Sequence, residues 1–288
     1  PASRHTLPSH PCQLAPSMSS YRVSVNSLVA FTARAGDLDL RFTPAPSAIE
    51  GIAGHQIIRQ RRRANYESEV RLSGHYPGLE VSGRADGYDP DTNTLEEIKT
   101  HRSDLSRIPE NQRAVHWAQA KLYGWMLCQA RGLSTINIAV VYFNILSGEE
   151  TSAPVCYSAK QLQSFFNLHS EKFLSWAEQE TAHRERRNTS LEAMPFPHAT
   201  YRTGQRDLAE KVFLAVRGEQ ALLAQATTGI GKTLATIFPQ LKAMGECKID
   251  RLFFLTAKTP GRQLALDAIE TLRLACYDLQ LRVLEHVA

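Results

Sequence analysis

No run of apolar residues in this chain approaches the roughly 20 that a helix needs to span a bilayer, so a helical membrane protein is not expected. Cysteine is sparse and scattered: Cys12, Cys128, Cys156, Cys247 and Cys276 form no CxxC pair. That spacing argues against a zinc ribbon or a disulfide framework and fits a reducing, cytoplasmic setting. A large excess of one charge is also missing. The 33 Lys and Arg against 29 Asp and Glu leave a formal net charge of +4, too small by itself to specify a polyanionic partner. The opening residues are rich in Pro and Ser and lack the apolar core of a signal peptide. Residues 1–20 therefore read as a tail, with Met18 a candidate natural start.

What is present is an ordinary globular composition, 43% hydrophobic and 22% charged, over 288 residues, which is long enough for two cores. An apolar, partly helical stretch from Tyr21 to Phe42 ends at Pro44 and Pro46. Ser47 with Glu50 three residues on is a capping-box signature for a helix that places Gly51, His55 and Ile58 on one side. The run Arg59, Arg61, Arg62, Arg63 follows. It can meet phosphate or be a solvated helix end, and sequence alone leaves both readings open.

Three strand-like stretches come next, at 68–73, 79–85 and 95–100, the last two joined by the turn formers of 89–93. Residues 111–131 carry apolar side chains at helical spacing and stop at Gly132. The apolar run 136–143 predicts a strand buried on both faces, and Ser158 can cap a long helix carrying Leu162, Phe165, Phe166, Phe173 and Trp176. One α/β domain is thus expected over residues 21–187, with a linker at 188–198 and a second domain over 199–288. In the second, apolar strands at 221–225 and 251–256 alternate with helices and predict a parallel sheet of βαβ units.

Alternation along 95–100 puts Glu97 and Lys99 on one face of a strand, with Asp86 nearby on the preceding one. Phosphodiester cleavage needs charge stabilised on the phosphate and an activated water, and a hard divalent cation held by carboxylates supplies both. A lysine beside it can orient the water or neutralise developing charge. Charged alternation on an exposed strand is the plainer account of such a triplet. The wider pattern adds His55 in Gly51-Ile52-Ala53-Gly54-His55, Asp86 in Gly83-Arg84-Ala85-Asp86-Gly87, Glu97-Ile98-Lys99, and Gln119 four residues before Tyr123 on one helix face.

In that order the residues resemble the RecB-like branch of the PD-(D/E)xK nucleases. The resemblance implies a restriction-endonuclease-like fold, a mixed central sheet flanked by helices. It also implies that His55, Asp86 and Glu97 bind Mg2+ or Mn2+, that Lys99 is catalytic, and that Gln119 and Tyr123 support the site or touch DNA. Glu stands here where such members often have Asp, and no four-cysteine iron-sulfur set accompanies the domain. Glu69 is a further acidic candidate, though an ordinary surface strand position is the better account of it.

The second constellation is Ala226-Thr227-Thr228-Gly229-Ile230-Gly231-Lys232-Thr233, between an apolar segment and a helix. Glycines let amides turn toward phosphate, the helix N-terminus adds its positive end, Lys232 reaches the terminal phosphates and Thr233 holds magnesium. Ala226 replaces the first glycine of the general pattern. Tyr201-Arg202-Thr203-Gly204-Gln205 upstream and Leu255-Thr256-Ala257-Lys258-Thr259 downstream complete a resemblance to DinG and XPD-like superfamily 2 helicases. It implies a partial RecA-like domain binding ATP with Mg2+, with Gln205 contacting the base. No Asp-Glu pair follows the loop and no second motor lobe is present, so the chain reads as a fragment without robust ATPase activity.

The reading is a metal-dependent nuclease acting on single-stranded DNA or DNA ends, fused to a helicase. Its rivals are a non-catalytic DNA-binding domain that positions DNA for the motor, and a P-loop phosphotransferase with a small-molecule domain.

Overall fold

The computed structural model describes residues 20–36, 46–102, 104–257 and 259–286. The expected tail apart from Ser20, together with Phe42, Pro44 and Lys258, lies outside the described residues. The chain divides into two units, residues 16–177 and residues 178–288. No helix among the described residues is long and apolar enough to cross a membrane.

The first unit runs β1 (Tyr21–Ser24), α1 (Val25–Thr32), α2 (Ala48–Gln60), β2 (Glu67–Tyr76), β3 (Leu79–Asp89), β4 (Thr94–His101), α3 (Glu110–Arg131), β5 (Thr135–Asn144), β6 (Glu150–Thr151), β7 (Val155–Ser158) and the first part of α4 (Ala159–Ala193). The local signals act as expected at several boundaries. Ser47 Oγ accepts from the Glu50 amide at 3.3 Å and Glu50 returns a carboxylate to the Ser47 amide at 2.8 Å, which satisfies amides that the first turn of α2 leaves free. Gly132, at φ +65°, closes α3 in the left-handed conformation.

These strands form one mixed, open sheet. β3 is its organising strand. Along one edge it pairs antiparallel with β2; along the other it pairs parallel with β1 from Leu79 to Ser82, then antiparallel with β4 from Gly87 to Asp89. β4 continues parallel to β5 over its whole length. The tight hairpin is therefore the one between β2 and β3, while the expected β3 to β4 hairpin is paired over three residues only.

Alternation sends Leu79, Val81, Leu95 and Ile138 into the main core with Leu122 and Met126 of α3 and Phe166 of α4. On the other side Ile98, Val141 and Phe143 meet Ile58 of α2. Helices thus cover both faces, which is why β5 reads as an unbroken apolar run.

The second unit takes the end of α4, then α5 (Gln205–Arg217), α6 (Lys232–Gly245) and α7 (Thr259–Ala275). α4 runs on through residue 187 and into the expected linker. Leu191 in its last turn and Met194 just after it are fully buried with Leu234, Leu241 and Leu272, and the polar stretch 184–190 is the outer side of a helix whose Arg187 pairs with Asp250.

The strands expected at 221–225 and 251–256 are not formed. Among the described residues these segments join no ladder, and Leu223, Phe253 and Leu255 are exposed. Apolar, β-branched or aromatic composition favours a strand only where a neighbouring strand satisfies its backbone and covers its side chains. The two segments do not pair with each other.

Candidate functional site

Between Ser82, the last residue paired with β1, and Gly87, the first paired with β4, one edge of β3 has no ladder partner. β4 diverges there to follow β5. Asp86 bridges the opening: its Oδ2 accepts a hydrogen bond from the Ile98 amide at 2.7 Å, replacing the ladder bond that the divergence removes. From α2, His55 brings Nδ1 to 3.4 Å from Asp86 Oδ1. On β4, Glu97 is 2% exposed and accepts from Lys99 Nζ at 2.7 Å through Oε1. Lys99 also donates to Gln119 Oε1 of α3 at 3.0 Å. The other Glu97 oxygen, Oε2, is buried with no hydrogen-bond partner. Burial pushes the Glu97 carboxyl up to about 7, with Lys99 pulling the other way and Asp86 adding to the rise.

Two glycines of the Gly83 to Gly87 segment have specific work. The Tyr123 hydroxyl accepts from the Arg84 amide at 3.2 Å, and a Cβ at position 83 would stand 2.6 Å from that hydroxyl oxygen. A Cβ at position 87 would collide with the Tyr66 hydroxyl, which donates to Glu96 Oε2 at 2.9 Å. Burial, reinforced by the charge of Glu97, pushes the Tyr123 phenol up to about 12.

His55, Asp86, Glu97, Lys99, Gln119 and Tyr123 line one cleft of about 800 Å3. Gathering these six is what the sequence pattern implied about their location. Their contacts fall into two groups, His55 with Asp86 and Glu97 with Lys99 and Gln119. Among the described residues no three His, Cys, Asp or Glu side chains form a ready-made metal cluster. The chemistry of the donors still suits a hard divalent cation: two carboxylates and an imidazole share the cleft, and one carboxylate oxygen is buried and unpartnered.

The basic run turns out to be held largely by acids. Arg62 is mostly buried, donating from Nε to Glu96 at 2.8 Å and pairing also with Glu150. Arg61 reaches the Gly148 carbonyl at 3.1 Å, Arg63 lies 3.5 Å from Asp91 and Arg59 3.9 Å from Glu69. Neither a free phosphate-facing row nor a solvated helix end describes Arg62, because its charge is desolvated and paired.

Sequence reasoning passed over His116, which lines the same cleft three residues before Gln119 on α3. Its Nδ1 lies 3.2 Å from the Tyr142 hydroxyl, and burial, with Lys99 acting in the same sense, lowers its pKa to about 4. A neutral imidazole therefore faces the cleft at neutral pH. The i, i+3 spacing to Gln119 was the available signal. Glu69, between Ser68 and Val70 that pair with Gly87 and Ala85, is in left-handed conformation, φ +57°, with its carboxylate held by Arg84 at 3.1 Å. It also lines the cleft.

In the second unit Gly229 and Gly231, at φ +87° and +79°, shape the loop before α6. Lys232 folds back to donate to the carbonyls of Ala226 at 3.0 Å and Thr227 at 2.8 Å. Thr228 is exposed and Thr233 half-buried at the helix start. Gln205 is buried: it donates to the Gly231 carbonyl at 3.2 Å and accepts from the Arg202 amide at 3.0 Å, so its amide braces the loop. Leu255 to Ala257 are irregular, and Lys258 of that motif is outside the described residues.

No protein-family model matches this chain, and no curated protein matches it. Among solved structures, the crystal structure of SSO0001 is similar, with a TM-score of 0.36 and 19% identity, over 54% of this chain and 76% of that one. A likeness of that size carries no functional argument.

Proposed function

We propose that the first unit is a divalent-metal-dependent nuclease of the restriction-endonuclease-like, RecB-like class, acting on single-stranded DNA or DNA ends. The observation that carries the reading is the Glu97 carboxylate: buried, bound on one oxygen by Lys99, unpartnered on the other, and sharing a cleft with Asp86 and His55. Leaving a buried carboxylate oxygen without a donor is costly, and a cation is the partner that removes the cost. Asp86, Glu97 and His55 would hold Mg2+ or Mn2+, which supplies Lewis-acid charge and a more acidic water when bound. Lys99, steadied by Gln119, presents its ammonium where a phosphate oxygen would develop charge. Tyr123 holds the β3 backbone beside Asp86.

The second unit we read as a partial RecA-like nucleotide-binding domain. The Gly229 to Lys232 loop would cradle the phosphates of ATP with Mg2+, with turnover weak or absent.

The separation of the donors into two contact groups, with no three-residue cluster among the described residues, favours a second reading: a nucleic-acid-binding domain without catalysis. End-labelled single-stranded DNA incubated with Mg2+ or Mn2+ separates the two. The nuclease reading expects cleavage by the parent that is abolished by EDTA and lost in Asp86→Ala and Lys99→Ala. Equal cutting by both variants, or none by the parent, overturns it.

A further inference from the structure

β2 and β3 place Arg71 directly opposite Arg84 and Ser73 directly opposite Ser82. Residues opposite one another across an antiparallel pair point to the same face, so both arginines and both hydroxyls share the exposed side of the hairpin. Like charges placed this way repel, and an arrangement that destabilises the free protein has its natural explanation in an anion that relieves it. Arg71 is exposed and, among the described residues, makes no ion pair. Arg84 reaches Glu69, and Arg59 approaches the same carboxylate from α2. Two guanidiniums therefore share one carboxylate, and Arg71 beside them has none.

The patch lines a shallow depression of about 470 Å3 formed by Arg71, Leu72, Ser73, Ser82, Gly83 and Arg84, and Gly83 and Arg84 also line the cleft. Asp86 lies two residues beyond Arg84 on the same face, roughly 7 Å along the strand. That step matches the spacing of successive phosphates in an extended single strand.

From this continuity we infer that Arg71, Arg84 and Arg59, with the Ser73 and Ser82 hydroxyls, form a phosphate track that guides the backbone of a single-stranded nucleic acid into the cleft. The inference rests on the nuclease reading for the destination of the strand, but its test needs no cleavage. Guanidiniums and hydroxyls contact phosphate oxygens and carry no base information, so the track binds backbone irrespective of sequence. Glu69 holds Arg59 and Arg84 in place until a phosphate displaces it.

The test is binding of a fluorescent single-stranded oligodeoxynucleotide, and of an oligoribonucleotide of the same sequence, to the full chain in EDTA across a salt series. Arg71→Ala removes no intramolecular ion pair and keeps the fold, which makes it the cleaner probe; Arg84→Ala and the double variant follow, with Lys172→Ala as a control on α4. Each arginine removed should lower the steepness of log affinity against log salt by about 0.7 and weaken binding to DNA and RNA alike, with the control unchanged. An unchanged slope in Arg71→Ala and Arg84→Ala overturns the track, as does a loss confined to one sugar type.

Cleavage assays on the same proteins keep the two ideas apart. A chain that cuts but keeps its salt slope in the variants loses the track and retains the nuclease. A chain that never cuts but loses its slope in the variants retains the track as a binding surface and loses the nuclease.

Discussion

The Tyr123 hydroxyl reaches the Arg84 amide, at 3.2 Å, across a position where β3 carries no side chain. The smallest side chain at Gly83 would stand 2.6 Å from that oxygen, so Gly83→Ala should destabilise the first unit by about 1–3 kcal/mol. Tyr123→Phe removes the nearest atom. The double variant should therefore be less destabilised than the sum of the two single ones; urea midpoints that add within about 0.5 kcal/mol would show that the two positions do not touch.

Arg62 and Arg61 differ by one residue and should differ widely in effect. Arg62→Ala leaves the half-buried Glu96 with the Tyr66 hydroxyl alone and Glu150 with the more distant Arg61, which should cost about 3 kcal/mol. Arg61 is more exposed, and its loss should cost about 1 kcal/mol or less. Equal denaturation midpoints for the two variants would contradict the inward placement of Arg62.

Two buried groups should make stability depend on pH in opposite senses. His169, whose Nδ1 lies 2.7 Å from Thr32 Oγ1, has its pKa lowered to about 4 by burial, with Lys172 and Lys121 adding to it. A histidine lowered on folding gives stability that is present above 6.5 and lost as pH falls toward 4, because the unfolded chain binds the proton first. His169→Gln should flatten that acid limb. Glu97 is raised to about 7, so its contribution is present below 4.5 and lost as pH rises through 7. In EDTA, Glu97→Gln should gain on the parent at pH 8 and differ little at pH 4; urea titrations at both values decide this.

Gly231 combines φ +79° with a close neighbour, since a Cβ there would collide with the Gln205 amide. Gly231→Ala should distort the loop, and both it and Lys232→Ala should weaken binding of a fluorescent ATP analogue by about tenfold or more. Unchanged binding in Lys232→Ala would remove the loop from nucleotide recognition.

Much of the first unit was legible because its signals are local. The Ser47 and Glu50 cap, the Gly132 stop and the doubly buried β5 depend on neighbours in sequence or on period. The six residues His55, Asp86, Glu97, Lys99, Gln119 and Tyr123, singled out from their order along the chain, line one cleft. What local signals do not contain is which distant residue fills a given space. The partners of Gly83 and Gly87, the burial of Arg62 between two acids, and the cross-strand Arg71 and Arg84 pair are set by register. In the second unit 221–225 and 251–256 had strand composition without a strand beside them, and the polar stretch after 184 looked like a linker because its apolar counterpart, Leu191, lies one helical turn away.

The short pairing between β3 and β4 has a consequence for how this scaffold could be improved or ruined. Hydrogen bonds that zipped those strands together past Gly87 would make a tidier sheet, and they would also seal the opening that Asp86 now bridges. Selection for rigidity alone would run against whatever ligand enters there. Stabilising substitutions are therefore best sought away from this fork, where firmness and access do not compete.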